Sequence, residues 1–141
     1  MNNIFWDTNI CIDFLTNREP WREYAAQIFD MAIDQKFNLY CSVLSLATVS
    51  YYMEHHYTSE EIFEKIDDFI SICTPATVDI NIAKAALSSS FKDFEDAMQY
   101  YSALSENCDT IITRNKKDFA ESTIQVLEPQ EFLDMINTVL K

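Results

Sequence analysis

Short runs of consecutive apolar residues alternate along this chain with longer stretches in which apolar positions recur every three or four residues. Runs of the first kind are Ile4-Phe5-Trp6, residues 38–42, Thr110-Ile111-Ile112 and Ile124 to Leu127. They are too short for helices and rich in β-branched and aromatic side chains, so they predict strands. Thr77-Val78 is expected as one more brief strand, because Pro75 should break the helix before it.

The helical stretches are equally regular. A short helix capped by Asn9 is expected through Asp13 and Phe14, followed by a loop from Thr16 to Pro20. Trp21, Tyr24, Ala25, Ile28, Phe29 and Ala32 trace one helical face. The stretch from about Leu44 to His55 is apolar on more than one side and should be central. Thr58-Ser59-Glu60-Glu61 forms a cap and first turn for a helix packed through Ile62, Ile66, Phe69, Ile70 and Cys73. A helix follows from Asp79 to Leu87, then the loop Ser88-Ser89-Ser90. Phe94, Ala97, Met98, Tyr101 and Leu104 set the face of an acid-loaded helix, with Asp93 as its N-cap. A last helix starts at Pro129 and packs through Phe132, Leu133, Ile136 and Leu140.

Strands alternating with helices, with no linker-like change of composition, call for a parallel sheet between helical layers. The expected fold is a three-layer α/β/α sandwich with about five parallel strands, a single domain over 1–141. With 141 residues, 48% of them hydrophobic, the chain can bury a substantial core.

Composition then removes whole classes of function. Glycine is absent, which excludes Walker-type phosphate loops and the dinucleotide-binding glycine turn. Turns and helix stops must fall to Asn, Asp, Ser and three prolines. Cys11, Cys41, Cys73 and Cys108 show no CxxC spacing, so buried free thiols are expected rather than a zinc cluster or a disulfide framework. Cys–His catalysis through His55 or His56 is disfavoured, since adjacent histidines near a helix end are ordinarily solvated. No stretch approaches membrane-span length, and no charged-then-apolar leader precedes Ile4, so a cytoplasmic protein with no membrane partner is expected.

The candidate chemistry lies in the acids. Parallel α/β sheets collect ligands beyond the carboxyl ends of their strands. Asp7-Thr8-Asn9 follows the first strand, and Thr113, Arg114, Asn115 and Asp118 follow the strand at 110–112. If those strands are neighbours, Asp7, Asp96 and the 113–118 loop converge. Carboxylates that close raise one another's pKa unless a cation neutralises them, and all-oxygen donors suit Mg²⁺ or Mn²⁺. Glu95 points about 100° away from Asp96 by helical geometry and is expected outside the same metal face.

These residues resemble the PIN domain family, metal-dependent ribonucleases that include the toxins of VapBC-type toxin–antitoxin pairs. The resemblance rests on the strand ending in Asp7-Thr8-Asn9, on Ser42-Val43-Leu44-Ser45-Leu46-Ala47, on Asp96-Ala97, and on Thr113-Arg114-Asn115-Lys116-Lys117-Asp118-Phe119. It implies five strands in the order 3-2-1-4-5, an order that periodicity alone does not choose. It also implies metal-assisted hydrolysis of RNA phosphodiester bonds, with Asp7 and Asp96 at two of the family's four acidic positions. The other two fall on Thr48 and Asn115, where the charge is missing. The expected catalytic set is Asp7, Asp96, Asn115 and Asp118, with Asp7, Asp96 and Asn115 on the metal. Asn9, Thr113 and Asp93 are expected to support them. An RNA substrate, an antitoxin and a homodimer are the expected partners.

Net charge argues the other way. With 23 acids against 10 bases the chain carries −13, which repels a polyanion. Arg114, Lys116 and Lys117 place three bases beside the acids, and they are the expected RNA phosphate contacts. Two other readings compete. One is a PIN-fold protein whose weakened site leaves it a nucleic-acid or protein binding module. The other is a phosphate-accepting receiver domain, for which Asp79 lies before a helix with no matching lysine.

Overall fold

The computed structural model describes residues 2–140, with side chains as far as residue 138. Five strands, β1 (Asn3–Trp6), β2 (Asn38–Ser42), β3 (Cys73–Ala76), β4 (Thr110–Ile112) and β5 (Gln125–Leu127), form one sheet in the order β3-β2-β1-β4-β5. All four pairings are parallel. The helices are α1 (Thr8–Leu15), α2 (Arg22–Ile33), α3 (Val43–Met53), α4 (Ser59–Ile70), α5 (Ile80–Leu87), α6 (Phe94–Ser105) and α7 (Pro129–Leu140), with a 3-10 turn at Lys116–Phe119.

Alternation along the strands splits the core into two layers. Ile4, Trp6, Leu39, Cys41, Cys73 and Ile112 face one side and pack under α1, α2, α3, α4 and α7. Phe5, Ala76 and Ile111 face the other and meet Tyr100 and Ala103 of α6, with Phe119 of the 3-10 turn beside them. Trp6 and Phe5 are wholly buried, each on its own face, so β1 is central in both directions. The architecture is the expected α/β/α sandwich, in the expected strand order.

Local expectations differ from the structure at two places, and a third falls outside the described residues. The third strand is Cys73–Ala76 rather than Thr77-Val78, and Cys73 belongs to it rather than to the face of α4, which ends at Ile70. Pro75 lies inside that strand because β3 is at the edge of the sheet, where a missing N–H is tolerated. The first helix is capped by Asp7, whose carboxylate accepts from Thr8 N, and Asn9 sits within its first turn. Leu140, expected on the packing face of the last helix, has its side chain outside the described residues.

Without glycine, the left-handed positions after α1, α2 and α6 are taken by Asn17, Gln35 and Asn107, at φ of 54°, 60° and 55°. Asn tolerates this region better than most residues, whereas Gln35 there costs about 1 kcal/mol. All four cysteines are buried free thiols. Asp79, the receiver-type candidate, caps α5 through a 3.0 Å bond from Ile82 N.

Candidate metal centre

The strand register builds the site. Trp6 pairs with Ile112 across β1 and β4, so the next residues, Asp7 and Thr113, emerge side by side at the carboxyl edge of the sheet. Asp7 N continues the ladder by donating to Ile112 O at 3.0 Å, and Thr113 N does the same to Leu127 O at 3.0 Å. The Asp7 carboxylate is then held on three sides. Its Oδ2 accepts from Thr113 Oγ1 at 2.8 Å and from Asn9 Nδ2 at 3.2 Å, while Oδ1 accepts from Thr8 N at 2.8 Å. Thr113 Oγ1 also accepts from Asn115 N at 3.1 Å, which ties the loop's entry to the same carboxylate.

α6 brings the second acid from the opposite face of the sheet. Asp93 caps the helix by accepting from Asp96 N at 2.9 Å, which fixes the first turn and points Asp96 at the strand ends. The 3-10 turn, anchored by buried Phe119, supplies Asp118. Asp7, Glu95, Asp96, Asn115 and Asp118 line one cleft of about 340 Å³, with Thr48 and Tyr52 of α3 on its far wall. All four expected catalytic residues are therefore in one place.

Electrostatics marks the cleft as short of positive charge. Burial raises the pKa of Asp7 from 3.8 to about 6 against the lowering effect of its Thr113 hydrogen bond, and nearby Glu95 and Asp118 raise it further. Asp96 is pushed up to about 7, first by desolvation and then by Asp93, Glu95, Asp7 and Asp118. Neighbouring cations do not offset this. Arg114 donates through Nε to Asp13 Oδ2 at 2.7 Å and through Nη2 to Oδ1 at 3.2 Å, with its guanidinium 4.0 Å over the Trp21 ring. Lys116 pairs with Glu131 at 3.1 Å. Lys117 remains beside the acids, lining a smaller concavity with Asp93, Asp96 and Asp118.

Two residues were missed by sequence reasoning. Asp13 is wholly buried, which no local pattern reveals, because its partner lies 101 positions away. Glu95, expected to point elsewhere, lines the cleft. Glu95 and Asp96 diverge by about 100° around the helix, yet the cleft is wide enough that both line it. A Glu followed four residues later by Gln99 was the available signal, the spacing at which helical side chains meet.

An all-oxygen set of carboxylates, two of them with raised proton affinity, fits a hard divalent cation. A family model described as a PIN domain matches residues 3–117. Ribonuclease VapC1 of Aquifex aeolicus (strain VF5) is 29% identical to this chain, covering 96% of each protein. The structure of VapBC-1 from nontypeable Haemophilus influenzae superposes with a TM-score of 0.67 over 91% of this chain and 98% of that one, at 19% identity. A toxin–antitoxin complex from Klebsiella pneumoniae gives a TM-score of 0.65 at 23% identity, covering 89% and 97%. No described helix is long and apolar enough to cross a membrane.

Proposed function

The chain belongs to the PIN domain family, and from that premise we propose that it is a Mg²⁺- or Mn²⁺-dependent endoribonuclease, the toxin of a toxin–antitoxin pair. The observation that carries the reading is the convergence of Asp7, Asp96 and Asp118 on one cleft with two of their pKa values raised to about 6 and about 7. That cost is recovered if a divalent cation binds there. A curated relative named a ribonuclease and structural neighbours solved as toxin–antitoxin complexes support the biological role.

Asp7 and Asp96 would hold the ion, joined by the neutral amide oxygen of Asn115. When bound, the ion supplies Lewis-acid stabilisation of the phosphodiester and lowers the pKa of water. Asn9 and Thr113 keep the Asp7 carboxylate in a single orientation through their bonds to Oδ2. Asp93 orients Asp96 by capping its helix. Asp118, which lines the same cleft, would accept a proton from water near the substrate phosphate. Lys117, with Lys116 once released from its exposed pair with Glu131, would contact flanking phosphates.

An antitoxin and a second copy of the chain belong to the same proposal. Ile80 and Leu87, seven residues apart on one face of α5, are 65% and 73% exposed, apolar side chains suited to a protein partner. The test of function is cleavage of single-stranded RNA in Mn²⁺ by the wild type and by Asp7→Asn and Asp96→Asn, with circular dichroism to confirm folding. Loss of cleavage in both folded variants is expected. Cleavage retained in Asp7→Asn would overturn the assignment, and a folded wild type that binds RNA without cutting it would favour the binding-module reading.

A further inference from the structure

The α3 wall of the cleft presents Thr48, whose hydroxyl turns back to Leu44 O at 3.5 Å. Across from it stands Glu95, and a buried network holds it there. Gln99, one helical turn on and wholly buried, donates Nε2 to Glu95 Oε1 at 3.1 Å, to Thr8 Oγ1 at 3.2 Å and to Ser45 Oγ at 3.3 Å. Thr8 and Ser45 are joined at 2.7 Å, and Thr8 Oγ1 lies 3.4 Å from Glu95 Oε1. Ser45 is on α3, three residues before Thr48, so this network ties Glu95 toward the wall that lacks an acid.

The amide's orientation follows from its surroundings. Reversed, it would set Oε1 against a carboxylate at the same distance, so the glutamate itself dictates that Nε2 faces it. Gln99 Oε1 has no partner, so the buried amide gives up one hydrogen bond in holding this geometry. Glu95 is exposed in the first turn of α6, where an acid already suits the helix N-terminus. Here one oxygen is fixed by a buried donor while the other makes no hydrogen bond among the described residues. One carboxylate oxygen each of Glu95 and Asp96 lies within 4.8 Å of the other, with the helix-capping Asp93 in the same group.

We propose that Glu95 is a metal ligand of this cleft, supplying from α6 the carboxylate that α3 lacks at Thr48, with Gln99 as its positioning residue. The inference rests on the reading of the cleft as a divalent-cation site. Asp7 then forms the floor, with Glu95 and Asp96 approaching from two sides because successive helical residues diverge by about 100°. The secure anionic ligands number three rather than two.

Calorimetric titration of the whole chain with Mn²⁺, at constant ionic strength, tests this without any activity readout. Glu95→Gln should weaken binding at least about tenfold while keeping an acceptor for Gln99. Asp67→Asn, a charge removed from the exposed face of α4 away from the cleft, should leave affinity within about twofold. Adding Thr48→Glu to Glu95→Gln should restore most of the lost affinity. Wild-type affinity in Glu95→Gln, together with loss of binding in Asp7→Asn, would overturn the role of Glu95 and leave the cation site standing. Absence of Mn²⁺ binding in the wild type would overturn both.

Discussion

Arg114 and Asp13 form a two-pronged ion pair, Nε to Oδ2 at 2.7 Å and Nη2 to Oδ1 at 3.2 Å, that joins the loop after β4 to the middle of α1. The guanidinium also stacks over the Trp21 ring, and the pair fixes the loop that carries Asn115 and Asp118. A residue expected to meet RNA is therefore spent on architecture. Arg114→Ala strands a wholly buried carboxylate, with only Arg18 at 3.9 Å to replace the lost partner. The expected loss is about 3 kcal/mol of stability. Chemical denaturation of the apoprotein would measure it, and a loss under about 1 kcal/mol would mean that Asp13 is relieved by protonation or water.

RNA affinity should depend on the two lysines instead. Their charges are exposed, and the Lys116 pair with Glu131 is too solvated to hold its partner back. Changing Lys116 and Lys117 together to Ala should reduce the slope of log affinity against log salt by about 1.4, roughly 0.7 per phosphate on single-stranded RNA. Binding measured between low and moderate salt decides this. An unchanged slope would place the substrate elsewhere on the surface.

Asp7 makes the metal-free protein sensitive to pH. Its folded pKa of about 6 lies above the unfolded value of 3.8, so the stability linked to it is full below the unfolded value and is lost as pH rises through about 6. The shift is equivalent to about 3 kcal/mol in full, of which roughly 1–2 kcal/mol should appear because Asn keeps only part of the hydrogen-bond set. Asp7→Asn should therefore melt higher than the wild type at pH 8 without metal, and the gain should fade as pH drops from about 7 to 4. A difference independent of pH would show that charge is not its cause.

If the cleft holds the proposed cation, protons and metal compete for the same oxygens. With the pKa values of Asp7 and Asp96 raised to about 6 and about 7, Mn²⁺ affinity should climb steeply between roughly pH 5 and 7.5 and level off above. Calorimetry in buffers of different ionisation enthalpy would count the protons released at pH 6. No release would mean that both acids are already ionised.

Asn115 lines the cleft without a charge, so Asn115→Asp should strengthen Mn²⁺ binding by several-fold and raise the cleavage rate at limiting metal. The same variant should be less stable than the wild type without metal, because another carboxylate joins the cluster. Unchanged affinity would place residue 115 outside the reach of the ion.

What could be seen in the sequence was whatever is local or repeats with the period of a secondary element. Asp7 and Thr113 were legible as neighbours because each directly follows a short apolar strand, and parallel pairing brings strand ends together. The cap at Asp93 was legible from its spacing to Asp96. Pro75 misled because its effect depends on whether a strand is central or at an edge, which is a property of the whole sheet. Asp13 and Arg114 are far apart in the chain, and nothing beside either announces the other. Glu95 was misplaced by treating direction from the helix axis as exclusion, when the cleft between α1, α3 and α6 is wide enough to be entered from both sides.

The acids of this cleft are proposed to act on RNA through a bound divalent cation. The most direct test incubates end-labelled single-stranded RNA with chelator-stripped wild type, then adds back Mn²⁺ in steps. The account predicts intact RNA until metal is restored, cleavage that saturates with the calorimetric binding curve, and none at any Mn²⁺ concentration with Asp96→Asn. Cleavage by the stripped protein in excess chelator, or by Asp96→Asn at the wild-type rate, would contradict it.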